Sequence, residues 1–532
     1  MRTPKHWPRF APGEIVIYHM AIFYFERVPT HASLLGLWRG PLLQVFIALI
    51  LIQFTNFALA AKVDPQLLAM VENPSAQVEV LVLMEEPSAS SLHSVPHKYE
   101  RKKILQFLKS STKTNWRNIA SQLKSRALSK KGTGFEMYWI NNSFSVTVNR
   151  SELKELSQAP GIKKIYFNGP VSLDEPVIKQ DETAESPPTL PYNLRDTHID
   201  ELSIAHPEIN GTGVVIGSID TGVDAGHPAL QNKILKFYNG LEDRLSEPRD
   251  WGSHGTHTTG ILVGSNQIGI APGAKVIMAG ALFNISTILK AMQFMLDPDG
   301  DPNTDDAPRV INNSWHSPDA VDQEPFYRAI SAWEAAGINV VFSAGNNGDL
   351  PDAITPPKEH PATITVGGTN RQGLITELSS RGPAVYKGVA VLKPELTAPG
   401  EVIVSTLPKG KLGTKSGTSM AAPHVSATIA LMLQANPLLN PAQIRGILLA
   451  TTTAEQRIWN ESYGNGKLNA FKAVSEALAA SVPDLLFPEH LVPQILSSFK
   501  RASTSVEPEL TATMRFPQQW ESDNWLSSPD LF

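Results

Sequence analysis

The sequence predicts an α/β fold: a doubly wound parallel sheet with helices on both faces, preceded by a smaller α+β domain of ferredoxin-like order. Two observations carry this. Short apolar runs at 214–219, 275–279, 310–313 and 340–343 alternate with helical stretches at 288–296 and 327–336, the pattern of parallel β-α units. Ahead of them the signals follow the order β-α-β-β-α-β, which suggests the small domain.

The small domain begins with VEVLVLM at 78–84, an almost unbroken apolar run that reads as a buried strand. A long helical segment at 98–131 places Ile104, Leu108, Ile119 and Leu123 on one side. It is rich in Lys and Arg, with Glu100 its one acid, and its plain reading is a solvated helix face. The stretch 135–148 is either a hairpin turning at Asn141-Asn142 or one bent strand. A short helix at 151–158 stops before Pro160-Gly161, and IYF closes a last strand at 162–167. Residues 174–191 are polar and proline-bearing, a linker composition. After about residue 478 the chain is rich in Pro, Ser and acids without a sustained period, a tail of low order. The expected boundaries are therefore 1–60, 61–176, 177–195, 196–478 and 479–532.

The first of these segments is a leader. An apolar run at 42–57 follows Arg39 and precedes Ala58-Leu59-Ala60, which resembles a secretory signal with its cleavage site. Counted generously from 41 to 61, the run reaches the roughly 20 residues of a spanning helix, so a retained membrane anchor is the alternative. The aromatic, proline-bearing residues before Arg39 are unusual for a signal, and a start at Met20 would explain them.

At 532 residues the chain holds about three and a half domains' worth of sequence. With 42% hydrophobic and 18% charged residues it is neither wholly disordered nor a polytopic membrane protein. A net charge of −5 gives no global basic excess, and the basic helix lacks interleaved base-stacking aromatics, so no nucleic-acid partner is expected. Zero cysteines remove disulfides, thiol nucleophiles and Cys-ligated zinc.

Three segments join a reactive side chain to glycines that would expose it. In GSIDTGVDAGHP at 217–228 an apolar strand ends at Asp220, at the carboxyl end of a parallel strand where doubly wound folds place their sites. A turn-capping aspartate is the bland alternative. DWGSHGTHTTG at 250–260 carries His254 and His257 at a helix start. Taken alone it suits a base, a zinc ligand or a plain cap, although no His-Glu-x-x-His pattern accompanies it. KSGTSMAAPHV at 415–425 puts Ser419 in the first turn of a buried helix, where backbone N–H groups are unpaired and the dipole end is positive. An isolated example would be an ordinary Ser/Thr cap.

Together, Asp220, His254 and Ser419 in the chain order Asp, His, Ser resemble the subtilisin-like serine peptidases almost residue for residue, over about 193–474. The resemblance implies the subtilisin-like form of the doubly wound sheet. It also implies Ser419 as nucleophile, His254 as general base and acid, and Asp220 as the group orienting the imidazole; His257 then becomes a packed helix residue. VVFSAGNNG at 340–348 matches the family's strand ending in the oxyanion-hole asparagine, favouring Asn346 over Asn347, with the Ser419 N–H as second donor. VINNSW at 310–315 resembles the edge that pairs with substrate backbone, which makes Ser314, Trp315 and Gly345 the expected substrate contacts. Where the family commonly continues into glycine, this chain has His316, which puts the usual substrate spacing in doubt.

The acid-rich loop DPDGDPNTDD at 297–306 is a candidate for a structural calcium ion; a solvated turn-rich loop explains it as well. The chemistry itself requires no cofactor. Subtilases commonly follow an inhibitory ferredoxin-like propeptide, which the 61–176 segment resembles, so self-cleavage is expected between Phe167 and Leu194. The whole reads as a secreted, monomeric serine endopeptidase acting on proteins or peptides, with its own propeptide as intramolecular inhibitor. A catalytically silent peptide-binding pseudoprotease is the alternative.

Overall fold

The computed structural model describes residues 62–73, 76–86, 101–123, 135–173, 190–317, 323–454 and 458–480, and those from Val63 onward belong to one compact unit. The expected leader, nearly all of the expected tail, most of the expected linker, and residues 98–100 and 124–131 of the expected basic helix lie outside the described residues.

In the small domain, α1 (Pro65–Met70) precedes β1 (Val78–Met84), α2 (Arg101–Ala120), β2 (Glu136–Tyr138), β3 (Ser143–Val148), α3 (Arg150–Gln158) and β4 (Ile162–Phe167). The sheet order is β2-β3-β1-β4, with every neighbouring pair antiparallel. The 135–148 segment is thus a hairpin. Its turn closes through Asn142 in the left-handed region (φ 58°), which asparagine tolerates better than most residues. Helix α3 starts at a capping box, with Asn149 and Glu152 satisfying each other's backbone N–H groups. The two-residue strand β5 (Ser172–Leu173) follows.

Just ahead of 196, α4 (Tyr192–Asp196) is helical with Asn193 and Leu194 buried; α5 (Ile199–Ala205) follows. The strands of the large domain are β6 (Val215–Asp220), β7 (Ile234–Asn239), β8 (Arg244–Leu245), β9 (Lys275–Gly280), β10 (Val310–Asn313), β12 (Asn339–Ser343), β13 (Thr363–Thr369) and β16 (Leu396–Pro399). They form one eight-stranded sheet in the order β16-β13-β12-β10-β6-β9-β7-β8. The sheet is parallel throughout except for the antiparallel β7–β8 edge. Strands β11 (Trp315–His316), β14 (Ala384–Tyr386), β15 (Val389–Val391), β17 (Ile403–Leu407) and β18 (Lys411–Lys415) lie outside it.

Side-chain alternation decides which helices cover each face. Ile216, Val276, Met278 and Val341 share one core with α6 (His254–Val263), α9 (Thr418–Ala435), α10 (Pro441–Thr451) and α11 (Ala470–Ala479). Ile219, Ile277, Ile311 and Phe342 share the other with α7 (Ile285–Leu296) and α8 (Glu324–Ala335). That second core also takes in Leu81, Leu83, Ile104, Leu105 and Tyr138 of the small domain, so the two domains share one apolar cluster. From the central strand β6 the order runs outward in opposite directions, to β9 on one side and β10 on the other. A crevice forms at the carboxyl ends of strands flanking such a switch point. Strand β6 ends at Asp220 and β10 at Asn313, immediately before Ser314.

Candidate active site

Helix α6 begins at His254, and α9, which packs against it, carries Ser419 in its first turn. His254 Nδ1 lies 2.8 Å from Asp220 Oδ1, and both side chains are buried. The carboxylate also accepts the Thr221 N–H at 2.7 Å and the Thr258 hydroxyl at 3.0 Å. Three donors therefore surround Asp220, and the His254 ring is oriented by a fixed acceptor on Nδ1. Thr258 is one turn beyond His254 on the same helix, and the i+4 spacing could have revealed it in the sequence. Gly255 must be small: a Cβ there would lie 2.0 Å from the Gly222 carbonyl oxygen and 3.1 Å from Asp220 Oδ1.

Asn346 is held at the amino end of α9. Its Oδ1 accepts from the Thr418 N–H at 2.9 Å and from the Thr418 hydroxyl at 3.1 Å. A backbone N–H can only donate, so this contact fixes the amide orientation. It directs Nδ2 toward Gly417, where a Cβ would lie 3.0 Å away. Asn347 is turned elsewhere, its Nδ2 donating to the Ala353 carbonyl at 3.0 Å. The arrangement favours Asn346 as the donor to a developing oxyanion. Asn346→Ala should lower kcat about 100- to 1000-fold with KM little changed, as steady-state kinetics on a peptide substrate would show.

The expected substrate contacts separate into two kinds. The Ser314 hydroxyl donates to the Ser419 carbonyl at 3.3 Å, and Gly345 donates its N–H to the Thr418 hydroxyl at 3.0 Å, so both border the nucleophile's helix. Trp315 presents only its backbone to the edge. Its ring is buried against Phe326 and Phe342, with Nε1 donating to Asn313 Oδ1 at 3.1 Å. On that edge β11 pairs antiparallel with β5, Trp315 opposite Leu173 and His316 opposite Ser172.

His257 is a packed residue, its Nε2 3.0 Å from the Ile403 carbonyl and 3.2 Å from that of Gly413. Burial, with Lys415 adding repulsion, pushes its imidazole down to about 3. Burial likewise holds His360 at about 3 and His424 at about 4. Each folded-state value lies below the ordinary value near 6.5, so the unfolded chain binds more protons in between. Stability is complete above about pH 6.5 and falls toward pH 4, by about 1.4 kcal/mol per pH unit for each group. Urea midpoints at pH 7, 6 and 5 should decrease progressively, and constant midpoints would contradict this.

The acid loop carries no calcium-like cage. Asp297 receives Arg101 at 3.2 Å and is paired with Lys109, while Asp306 receives Arg101 at 3.0 Å and Lys236 at 2.8 Å. Asp299 accepts the Asp301 N–H at 2.8 Å. Among the described residues no group of three or more His, Asp or Glu side chains could hold a metal ion. The carboxylates read as calcium ligands instead anchor α2, so part of the basic helix face is a docking surface rather than a solvated one.

Residues 211–466 match the model of the Subtilase family. This region is a domain of the subtilase family of serine peptidases. The chain is 31% identical over 449 residues to Bacillopeptidase F of Bacillus subtilis, covering 76% of this chain but 30% of that protein. It is 27% identical to Subtilisin E of the same organism, over 66% of this chain and 86% of the relative, and 28% identical to the serine protease AprX, over 70% and 87%. Thus the chain spans about a third of the length of one relative and most of the others. In fold it is similar to fervidolysin from Fervidobacterium pennivorans, described as a keratinolytic enzyme related to subtilisin, with a TM-score of 0.53 at 21% identity. That match covers 78% of this chain and 62% of fervidolysin.

Proposed function

We propose that the chain is a serine endopeptidase that hydrolyses peptide bonds of protein substrates through Asp220, His254 and Ser419, by way of an acyl-enzyme. The observation that carries this is the buried Asp220–His254 contact facing a helix whose first turn bears Ser419 beside Asn346. A serine hydroxyl is a weak nucleophile at neutral pH. His254, its Nδ1 held by Asp220, takes the hydroxyl proton as Ser419 attacks the carbonyl and returns it to the leaving amine. Asn346 and the α9 N-terminus stabilise the oxyanion, and water then releases the acyl group by the reverse sequence.

The protein is made as a precursor. The 61–176 segment acts as an intramolecular inhibitor, a reading supported by strand β5 lying along the β11 edge, where a substrate backbone would pair. Shared apolar core and the Arg101 and Lys109 pairs give this segment its grip on the large domain. The working enzyme is extracytoplasmic, on the leader-like residues 42–60. Among the described residues no helix is long and apolar enough to cross a membrane.

Labelling with a serine-directed phosphonate tests the catalytic reading. Covalent modification of Ser419 in the matured protein, absent in Ser419→Ala, is the expected result. No labelling would remove the peptidase assignment. N-terminal sequencing of the exported form tests the precursor and leader together.

A further inference from the structure

Asp220 is wholly buried at the carboxyl end of β6, and its two carboxylate oxygens are held differently. Oδ1 takes both His254 Nδ1 at 2.8 Å and the Thr221 N–H at 2.7 Å. Oδ2 takes the Thr258 hydroxyl at 3.0 Å, its one donor among the described residues.

Thr258 has a single hydroxyl hydrogen and two acceptors in reach, Asp220 Oδ2 and the Gly255 carbonyl at 3.2 Å. Thr259 donates to that same carbonyl at 2.6 Å, so the Gly255 oxygen is already supplied. An ionised carboxylate is also the stronger acceptor, and the Thr258 hydrogen goes to it. Thr258 is itself fully buried. Without its hydroxyl, Oδ2 would be a buried carboxylate oxygen lacking a partner, which penalises the ionised form and favours protonation of the Asp220–His254 pair. Three other charged or titratable groups border the pair. The Lys415 ammonium bonds the Ser253 hydroxyl at 2.8 Å just before His254, Asp250 accepts the Thr221 hydroxyl at 2.7 Å, and His257 lies one turn along α6. A substitution at 258 that removes only the hydroxyl leaves these groups unchanged.

We infer that Thr258 is a positioning residue of the triad. Its hydroxyl anchors Oδ2, so that Oδ1 stays aimed at His254 and the pair stays free of its inactivating proton into more acidic solution. Thr258 touches neither the substrate nor the reacting atoms and acts only through Asp220. The inference rests on the peptidase reading above. Loss of the donor makes the pair hold a proton more readily, so the acid limb of the activity profile moves up in pH.

The test uses the full-length chain, matured by itself, with kcat/KM for one peptide followed across pH. Thr258→Val removes the hydroxyl at nearly constant shape. Its acid limb should lie about one pH unit above that of the wild type, with KM little changed. Relative to the plateau, activity one unit below the wild-type midpoint should then fall about tenfold. Thr258→Ser, which keeps the donor, should return the limb to the wild-type position. In an Asp220→Asn background, adding Thr258→Val should not move the profile further, as the rate of phosphonate labelling of Ser419 would show. A limb scaled to its own plateau is independent of the amount of folded enzyme, and Thr258→Ala repeats the measurement if the valine variant fails to fold. An unmoved acid limb in the variant without the hydroxyl, or a shift that persists with Asp220→Asn, would overturn the role of Thr258 and leave the peptidase reading standing. Absence of both labelling and cleavage in the wild type would overturn both.

Discussion

Ser419→Ala is expected to lower kcat by on the order of 10⁶-fold and to leave the precursor uncut, with thermal stability essentially unchanged. The stability half follows from where Ser419 sits. Gly417, not Ser419, is the N-cap of α9, and the position is fully buried, so alanine removes one small polar atom at a site of high helix propensity. The activity half follows because His254 then has no hydroxyl to deprotonate, and only oxyanion stabilisation and binding remain. Peptide kinetics, a thermal melt and N-terminal sequencing together check the result. A Ser419→Ala protein made alone that still matured to the wild-type N-terminus would defeat the autoprocessing proposal.

Asp220→Asn is expected to cost about 10⁴-fold in kcat without unfolding the protein. An Asn side chain can keep its oxygen toward His254 Nδ1 and the Thr221 N–H. Its new amide would then face the Thr258 hydroxyl, which can rotate to accept, since the Gly255 carbonyl 3.2 Å away takes its hydrogen. Every buried polar group stays paired, so the loss falls on the charge that stabilises the imidazolium formed during attack. The measurement is kcat together with the urea midpoint. Near-normal turnover would show that Asp220 does not serve the base, whereas a collapsed midpoint would show that its carboxylate is chiefly structural.

Much of the fold was legible because its signals are local. Strands at 78–84, 162–167 and 310–313 appear with the bounds that their apolar runs imply, and α3 announces itself through Asn149 and Glu152. The hairpin at 135–148 stayed ambiguous because Asn141-Asn142 suits either a turn or a bend. The left-handed Asn142 and the pairing of Met137 with Phe144 decide it. The helix at 192–196 was not legible, since LPYNLRD carries little apolar periodicity and its helix is held by burial of Asn193 and Leu194. The acid loop stayed open between a calcium site and a solvated turn. Carboxylates at alternate positions satisfy calcium and lysine or arginine equally well in a sequence, and only docking of α2 brings Arg101 and Lys109 to them.

By itself the sequence determined the α/β order and the absence of cysteine, and it marked Asp220, His254, Ser419 and Asn346 as candidates, because each sits in a glycine-bearing motif. Only the tertiary structure decided how distant segments meet. Strand alternation assigned helices to faces, the switch point beside β6 opened the crevice, and close packing turned the Trp315 ring away from it.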